Sequence, residues 1–337
     1  MLQLLLGGSG SGKTTLLYQR IRARAEKGEK SILLVPEQFT SSTEGRIYRE
    51  LGDALSGMVE SFSFTSLAEK ILSTEGGAAV QTLSDAGRAV LVRRALEELQ
   101  DNVHYYHRHR RSAAFCQMAA QTIDELKSAG LSGRQLAQLA GACGAESGKL
   151  SELALIFQGY ETLLARSGMD PSDRLELAGA RLEEALARHS LPEFLRDRAV
   201  FIDEFDTFNA PKKRLLGAML AALPSVTVAL CDDGAPLLPG DLSLFSGAKQ
   251  VAAQLRQLAR KNGAEVAVPQ LLRKDLRHRN APGLAAVAEL LETGSCTADA
   301  PVGEVRLFAA PSREEEARAA AGAIRRLMRQ GVRCGKI

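Results

Sequence analysis

Apolar residues near the start of the chain fall in short runs separated by longer amphipathic stretches. Residues 2–6 form a continuous apolar run of strand length, and residues 14–27 follow with Leu17 and Ile21 one turn apart and Gly28 as a stop. Residues 31–35 and 58–62 are further strands, and residues 43–51 and 66–73 read as helices, the second with Leu67, Ile71 and Leu72 inward. Apolar strands alternating with helices predict a parallel sheet covered on both faces. From Ser84 to about Arg188 the period is helical and no convincing strand interrupts it. Ser84 caps a helix to about Leu99, residues 112–129 form a second, and Ser132-x-x-Gln135 opens a short third with a capping box. Residues 149–166 and 172–189 are the fourth and fifth. Strand–helix alternation then resumes with a strand at 199–202, a helix at 211–222 and a strand at 226–230.

The pattern therefore predicts an α/β sheet domain interrupted by an all-α insertion. Residues 1–80 and 196–235 are the two parts of the sheet domain, 81–195 the insertion, and 236–302 a connector with a helix at about 248–261. Residues 303–337 begin a second α/β domain, with a strand at 304–309 and a helix opened by the capping box Ser312-x-x-Glu315 and ended by Gly331. The chain stops where the next strand would follow, so it reads as part of a longer protein.

Composition changes this picture little. The 337 residues are 45% hydrophobic and 25% charged, as in an ordinary globular chain of two or three units. With 5% aromatics and no Trp, the core must be built mainly of Leu, Ala, Val and Ile. A net charge of +3 gives no global field for nucleic acid, so any DNA contact has to be local. Five cysteines without a CxxC pair point to a reducing, cytoplasmic compartment rather than a disulfide scaffold or zinc site. No apolar run approaches the ~20 residues of a membrane span, and residues 2–6 are too short for a signal peptide core.

Candidate chemistry begins at Gly7-Gly8-Ser9-Gly10-Ser11-Gly12-Lys13-Thr14, which fits G-x-x-x-x-G-K-[ST] between a strand and a helix and runs on into Thr15. Glycines let the backbone curl so that several N–H groups face one anion, and the helix start adds partial positive charge. Lys13 would reach the β- and γ-phosphates of ATP, and Thr14 would ligate Mg²⁺. The partner acids follow at the tip of an apolar strand in Val200-Phe201-Ile202-Asp203-Glu204. Asp203 would hold Mg²⁺ through a water and Glu204 would orient and deprotonate the attacking water. The strand at 226–230 ends in Cys231-Asp232-Asp233, acids that would repel phosphate and that read as loop caps.

These segments resemble a superfamily 1 helicase core, a RecA-like P-loop NTPase fold. Residues 7–14 match its first motif, Asp203-Glu204-Phe205-Asp206 its D-E-x-x motif, and Ser63-Phe64-Thr65-Ser66-Leu67 the segment that touches single-stranded DNA. More specifically, the chain resembles the AddB-type subunit of the ATP-dependent helicase/deoxyribonuclease. The resemblance rests on Leu33-Leu34-Val35-Pro36-Glu37-Gln38-Phe39-Thr40, Ile123-Asp124-Glu125-Leu126-Lys127, Pro311-Ser312-Arg313-Glu314-Glu315-Glu316-Ala317, and a glycine loop close to the first residue. It implies a heterodimer with an A-type helicase/nuclease subunit, acting on single- and double-stranded DNA in recombinational repair of double-strand breaks. It also implies degraded helicase motifs in this subunit, and a nuclease domain and iron–sulfur cluster only in a C-terminal part beyond these residues. Turnover by this stretch alone is expected to be slow, because an arginine finger would come from the remainder of the second domain. An active DNA-dependent ATPase motor and an interaction scaffold with a vestigial P-loop remain as alternatives.

Two loops are candidate single-strand contacts. Ser63, Phe64, Thr65 and Ser66 either offer hydroxyls and N–H groups to a phosphate with Phe64 stacked on a base, or form a helix cap with Phe64 packed inside. Gln38, Phe39 and Thr40 after the second strand present the same choice. His104-Tyr105-Tyr106-His107-Arg108-His109-Arg110-Arg111 is the most basic stretch, either a nucleic-acid contact or a solvated loop. Its histidines lack the nearby Cys or acid of a metal site. Arg46, Arg49, Arg93 and Arg94 read as exposed helix faces.

Overall fold

The structure is a computed structural model and describes residues 1–77, 79, 81–144, 147–295 and 305–337. Strand β1 (Leu2–Gly7) leads through the glycine loop into α1 (Lys13–Ala25). After β2 (Ser31–Leu34) come α2 (Thr40–Leu51), the one-turn α3 (Asp53–Ser56), β3 (Val59–Phe62) and α4 (Phe64–Glu75). Five helices follow: α5 (Asp85–Glu98), α6 (Ala113–Ser128), α7 (Gly133–Ala140), α8 (Ser147–Ser167) and α9 (Pro171–Ala187). The chain then returns to the sheet with β4 (Ala199–Ile202), α10 (Ala210–Ala222), β5 (Ser225–Cys231), α11 (Ser246–Lys261) and β6 (Gln270–Leu272).

All six strands pair in parallel, in the order β3-β2-β4-β5-β1-β6. This is the α/β arrangement expected of a RecA-like domain. Side chains alternate across a strand, so each apolar run feeds two cores. Leu2, Leu4, Leu6, Ile32, Leu34, Val200 and Ile202 join α4, α9, α10 and α11 on one face. Leu5, Leu33, Val35, Ala199 and Phe201 join α1 and α2 on the other. A separate cluster including Leu96, Cys116, Ile123, Phe157 and Tyr160 fills the space among α5, α6, α7 and α8. Helix α9 differs from these four, since its Ala178 and Leu182 are buried in the sheet core.

The segment expected as a connector, 236–302, is in part sheet. Helix α11 buries Val251, Ala252, Leu255 and Ala259 in the sheet core, and β6 pairs with β1 from Leu5↔Gln270 to Gly7↔Leu272. A three-residue strand that opens on an exposed Gln carries no apolar run to reveal it.

The chain divides into two units, Met1–Leu276 and Arg277–Ile337. The second contains α12 (Pro282–Thr293) and α13 (Arg313–Arg329). Of the strand expected there, Glu304 lies outside the described residues and 305–309 are not in strand conformation. Cys296 and the boundary expected at 302–303 also lie outside them. Ser312 accepts the Glu315 N–H at 3.3 Å, but the Glu315 carboxylate pairs with Arg318, so only half of the expected capping box forms. Among the described residues no helix is long and apolar enough to cross a membrane.

Candidate nucleotide site

The parallel sheet brings the C-terminal ends of β1 to β5 to one edge, where loops in such sheets carry ligands. At the end of β1 the backbone turns through left-handed Gly10 (φ 79°) and Gly12 (φ 91°). A side chain at Gly7 would meet the Leu272 carbonyl at 2.7 Å, so the loop has no room for one there, and the left-handed backbone of Gly12 favours glycine. The Leu276 N–H donates to the Gly10 carbonyl at 2.9 Å and ties the segment after β6 over the loop.

Helix α1 starts at the end of this loop with Gly12 as its N-cap. Like α2, α11 and α12 it has no side-chain cap, whereas α4, α5, α6, α7 and α10 are each capped by a Ser or Asn side chain. The first-turn N–H groups of α1 have no intrahelical partner and face the curl of the loop. The Lys13 ammonium donates to the Gly7 and Gly8 carbonyls at 2.7 and 2.8 Å, which holds a cation at the same place. Ser11 Oγ is buried without a hydrogen-bond partner among the described residues. A cradle that excludes Cβ atoms, an uncapped helix start and a fixed ammonium together fit a polyphosphate.

Asp203 leaves the tip of β4 with its N–H donating to the Leu34 carbonyl at 3.1 Å and its carboxylate buried. In sheet order β5 separates β4 from β1, yet the Thr14 hydroxyl at the start of α1 lies near enough to Asp203 to pull its carboxyl down. The two expected Mg²⁺ ligands are therefore adjacent, and two protein ligands suit an ion that retains several waters. Burial pushes the Asp203 carboxyl above the usual aspartate range, against the opposing pull of Thr14, the Glu204 N–H, Lys13 and Arg46. Glu204 follows with an exposed side chain and φ of 64°, a left-handed conformation that non-glycine residues adopt at a cost.

Arg46 was not legible as part of this site. It is only half-exposed on α2, with its guanidinium 4.9 Å from the Tyr18 ring centroid. Burial pushes the Tyr18 phenol up to about 12, with Arg46 opposing and Asp203 adding to the rise. A cation on the helix after β2 thus acts on both Tyr18 and Asp203. Leu276 was missed as well, because it comes to Gly12 through β6. Asp232 and Asp233 accept the N–H groups of Gly234 and Ala235 at 2.7 and 2.8 Å, the geometry of acids capping a loop.

The two candidate DNA loops sit at the tips of β2 and β3. Ser63 caps α4: its hydroxyl accepts the Ser66 N–H at 3.1 Å, and the Ser66 hydroxyl accepts the Ser63 N–H at 2.8 Å. Phe64 is only 3% exposed, packed edge-on against Phe205 at 5.2 Å and Phe208 at 6.0 Å. Of its two readings the buried one holds, and its ring is not available to a base. Thr65 and Ser66 remain exposed. At the tip of β2, Gln38 and Phe39 stand in an exposed turn of 3-10 helix with Phe39 38% exposed, and the Thr40 hydroxyl donates to the Glu37 carbonyl at 2.9 Å.

The family model described as ADDB, N-terminal, matches residues 4–288. A protein of Desulforudis audaxviator, named as the B subunit of an ATP-dependent helicase/deoxyribonuclease, is 34% identical over 98% of this chain and 29% of its own length. Proteins of the same name from Symbiobacterium thermophilum and Moorella thermoacetica are each 32% identical, over 100% and 98% of this chain and 30% and 29% of their own lengths. The chain thus spans under a third of the length of these relatives.

Proposed function

The chain belongs to the AddB N-terminal family, and from that premise we propose that it binds ATP–Mg²⁺ between the glycine loop and Asp203 and single-stranded DNA across the adjoining strand tips. The relatives are named as the B subunit of an ATP-dependent helicase/deoxyribonuclease. In that setting the chain serves as the N-terminal region of such a subunit, paired with an A-type subunit and working on broken DNA ends. The observation that carries the reading is the Lys13 ammonium held at the glycine loop by the Gly7 and Gly8 carbonyls, beside the uncapped start of α1. Residues 7–15 surround the phosphates, with Gly8, Ser9, Gly10 and Thr15 contributing backbone N–H groups. Bound Mg²⁺ neutralises charge on the β- and γ-phosphates. Thr14 and Asp203 would hold it, and Lys13 would exchange its two carbonyl partners for phosphate oxygens.

The division into a motor-like domain, a helical insertion and a further α/β domain belongs to the same reading, with β6 assigned to the first domain. For single-stranded DNA, exposed Phe39 is the ring available for stacking, while Gln38, Thr40, Thr65 and Ser66 line the path at the strand tips. Phe39→Ala should weaken binding of a labelled single-stranded oligonucleotide by about 5- to 150-fold, from ~1–3 kcal/mol per stacked base, measured by fluorescence anisotropy. Unchanged affinity would remove the strand tips from the path.

One observation favours hydrolysis over binding alone. Glu204 is held in a strained left-handed conformation at the strand tip next to Asp203, and such strain concentrates where a side chain has to be aimed. On this second reading, Glu204→Gln keeps ATP affinity and loses DNA-stimulated phosphate release by about 100-fold or more. Equal release rates in both proteins would leave Glu204 no role as base.

A further inference from the structure

The basic stretch 104–111 lies far along the chain from the strand tips, between α5 and α6. Glu152 of α8 is buried and makes no ion pair among the described residues. Its carboxylate instead accepts backbone N–H groups of His104 (2.8 Å), Tyr105 (3.0 and 2.8 Å) and Tyr106 (3.3 Å). Three successive N–H groups on one carboxylate fix the backbone of this turn. The second half of the loop is pinned by Phe115, which stacks with Tyr106 at 5.3 Å and packs against His109 at 5.6 Å. A loop that is merely solvated has no need of a buried carboxylate to shape it.

The anchoring leaves the polar side chains facing outward. Tyr105 is 57% exposed, with the Lys149 ammonium 5.8 Å from its ring centroid. His107, Arg108 and Arg111 are exposed, and Arg110 adjoins His107 at 3.3 Å. Arg108 and Arg111 form no ion pair among the described residues, whereas Arg93 and Arg94 on α5 are paired with Glu97 and Glu98. In a chain whose net charge is only +3, this concentrates unpaired cations beside an exposed ring on a preformed scaffold.

We infer that residues 104–111 form a second DNA-binding surface, on which Arg108 and Arg111 take backbone phosphates and Tyr105 offers its ring to a base or sugar. Planar cations with an aromatic ring suit a phosphodiester chain, and a rigid turn loses little entropy on binding it. The surface is independent of the glycine loop and of Phe39.

The test is DNA binding by the full 337-residue chain across a potassium chloride series, read by fluorescence anisotropy. The probes are a labelled single strand and a labelled hairpin duplex. The Arg108→Ala/Arg111→Ala double variant should weaken binding to one or both DNAs by about tenfold or more. It should also make the slope of log affinity against log salt shallower by about 1.4–1.8, from roughly 0.7–0.9 for each phosphate no longer neutralised. Tyr105→Ala should weaken the single strand without changing the slope. The Arg93→Ala/Arg94→Ala variant removes equal charge from paired positions and should keep the parent slope, with thermal unfolding checking that all variants fold. Phe39→Ala should also keep it, so failure at the strand tips is read separately from failure here. A parent-like affinity and slope in Arg108→Ala/Arg111→Ala on both DNAs, or an equal loss in Arg93→Ala/Arg94→Ala, would overturn the inference.

Discussion

On the proposed reading Asp203 combines two opposed demands, burial at the strand tip and a negative charge for a metal ion. Because burial raises its folded-state pKa, the unfolded chain releases this proton first as pH rises. Its contribution to stability is therefore full below the ordinary aspartate value of ~4 and lost as pH climbs through the raised folded value. Asp203→Asn should raise the melting temperature at pH 7 by roughly 1–4 °C, flatten the stability profile above pH ~4, and sharply weaken Mg²⁺-dependent ATP binding. Thermal unfolding at several pH values checks the first two outcomes; a melting temperature lowered at pH 7 would mean that the charge is compensated in the folded chain. The glycine loop and the acids at the tip of β4 could be picked out as candidates because each is a short local pattern, a G-x-x-x-x-G-K-T run and an apolar strand ending in Asp-Glu. Arg46 and Leu276 could not, because only the packing of α2 on α1 and of the post-β6 segment on the loop brings them in. Phe64 lay between these cases. Starting α4 at Ser66 hid that Phe64 shares a stripe with Leu67, Ala68, Ile71 and Leu72, the spacing of one buried helix face.

At the scale of elements, helices α6, α8 and α9 are joined by a buried polar network. The Lys127 ammonium donates to Asp170 at 2.7 Å and to Asp173 at 2.8 Å, and the Tyr160 hydroxyl donates to Asp170 at 2.6 Å. Since α9 belongs to the sheet core, this network fixes the helices before it to the sheet. The Ile123 to Lys127 segment is thereby a structural anchor, with Asp124 adding a contact to Arg88 at 3.4 Å. Removing one partner of a buried ion pair leaves an uncompensated charge, so Lys127→Met should destabilise the chain by about 3 kcal/mol in urea unfolding. A change under ~1 kcal/mol would show that water or relaxation replaces the ammonium. The helices were readable because serine caps and apolar periodicity are local signals. Strand β6 was not, because its identity depends on β1, more than 260 residues earlier in the chain.

At the scale of the molecule, one sheet edge gathers residues from four separate strands. The glycine loop after β1, the exposed turn after β2, the capped start of α4 after β3 and the acids after β4 all open on it. The proposed nucleotide and DNA sites on one edge share α2, which starts at the Gln38-Phe39-Thr40 turn and carries Arg46, whose charge acts on Asp203. A nucleotide affinity that depends on DNA is the expected consequence of that shared helix. The account rests most directly on ATP binding at the glycine loop. Isothermal calorimetry with ATP and Mg²⁺, on the chain and on Lys13→Ala, with and without single-stranded DNA, measures it. The account predicts micromolar affinity that falls at least about 100-fold in the variant, the loss of a charge-assisted phosphate interaction of ~3 kcal/mol. Absence of binding to the parent chain, or equal affinity in both proteins, would contradict it.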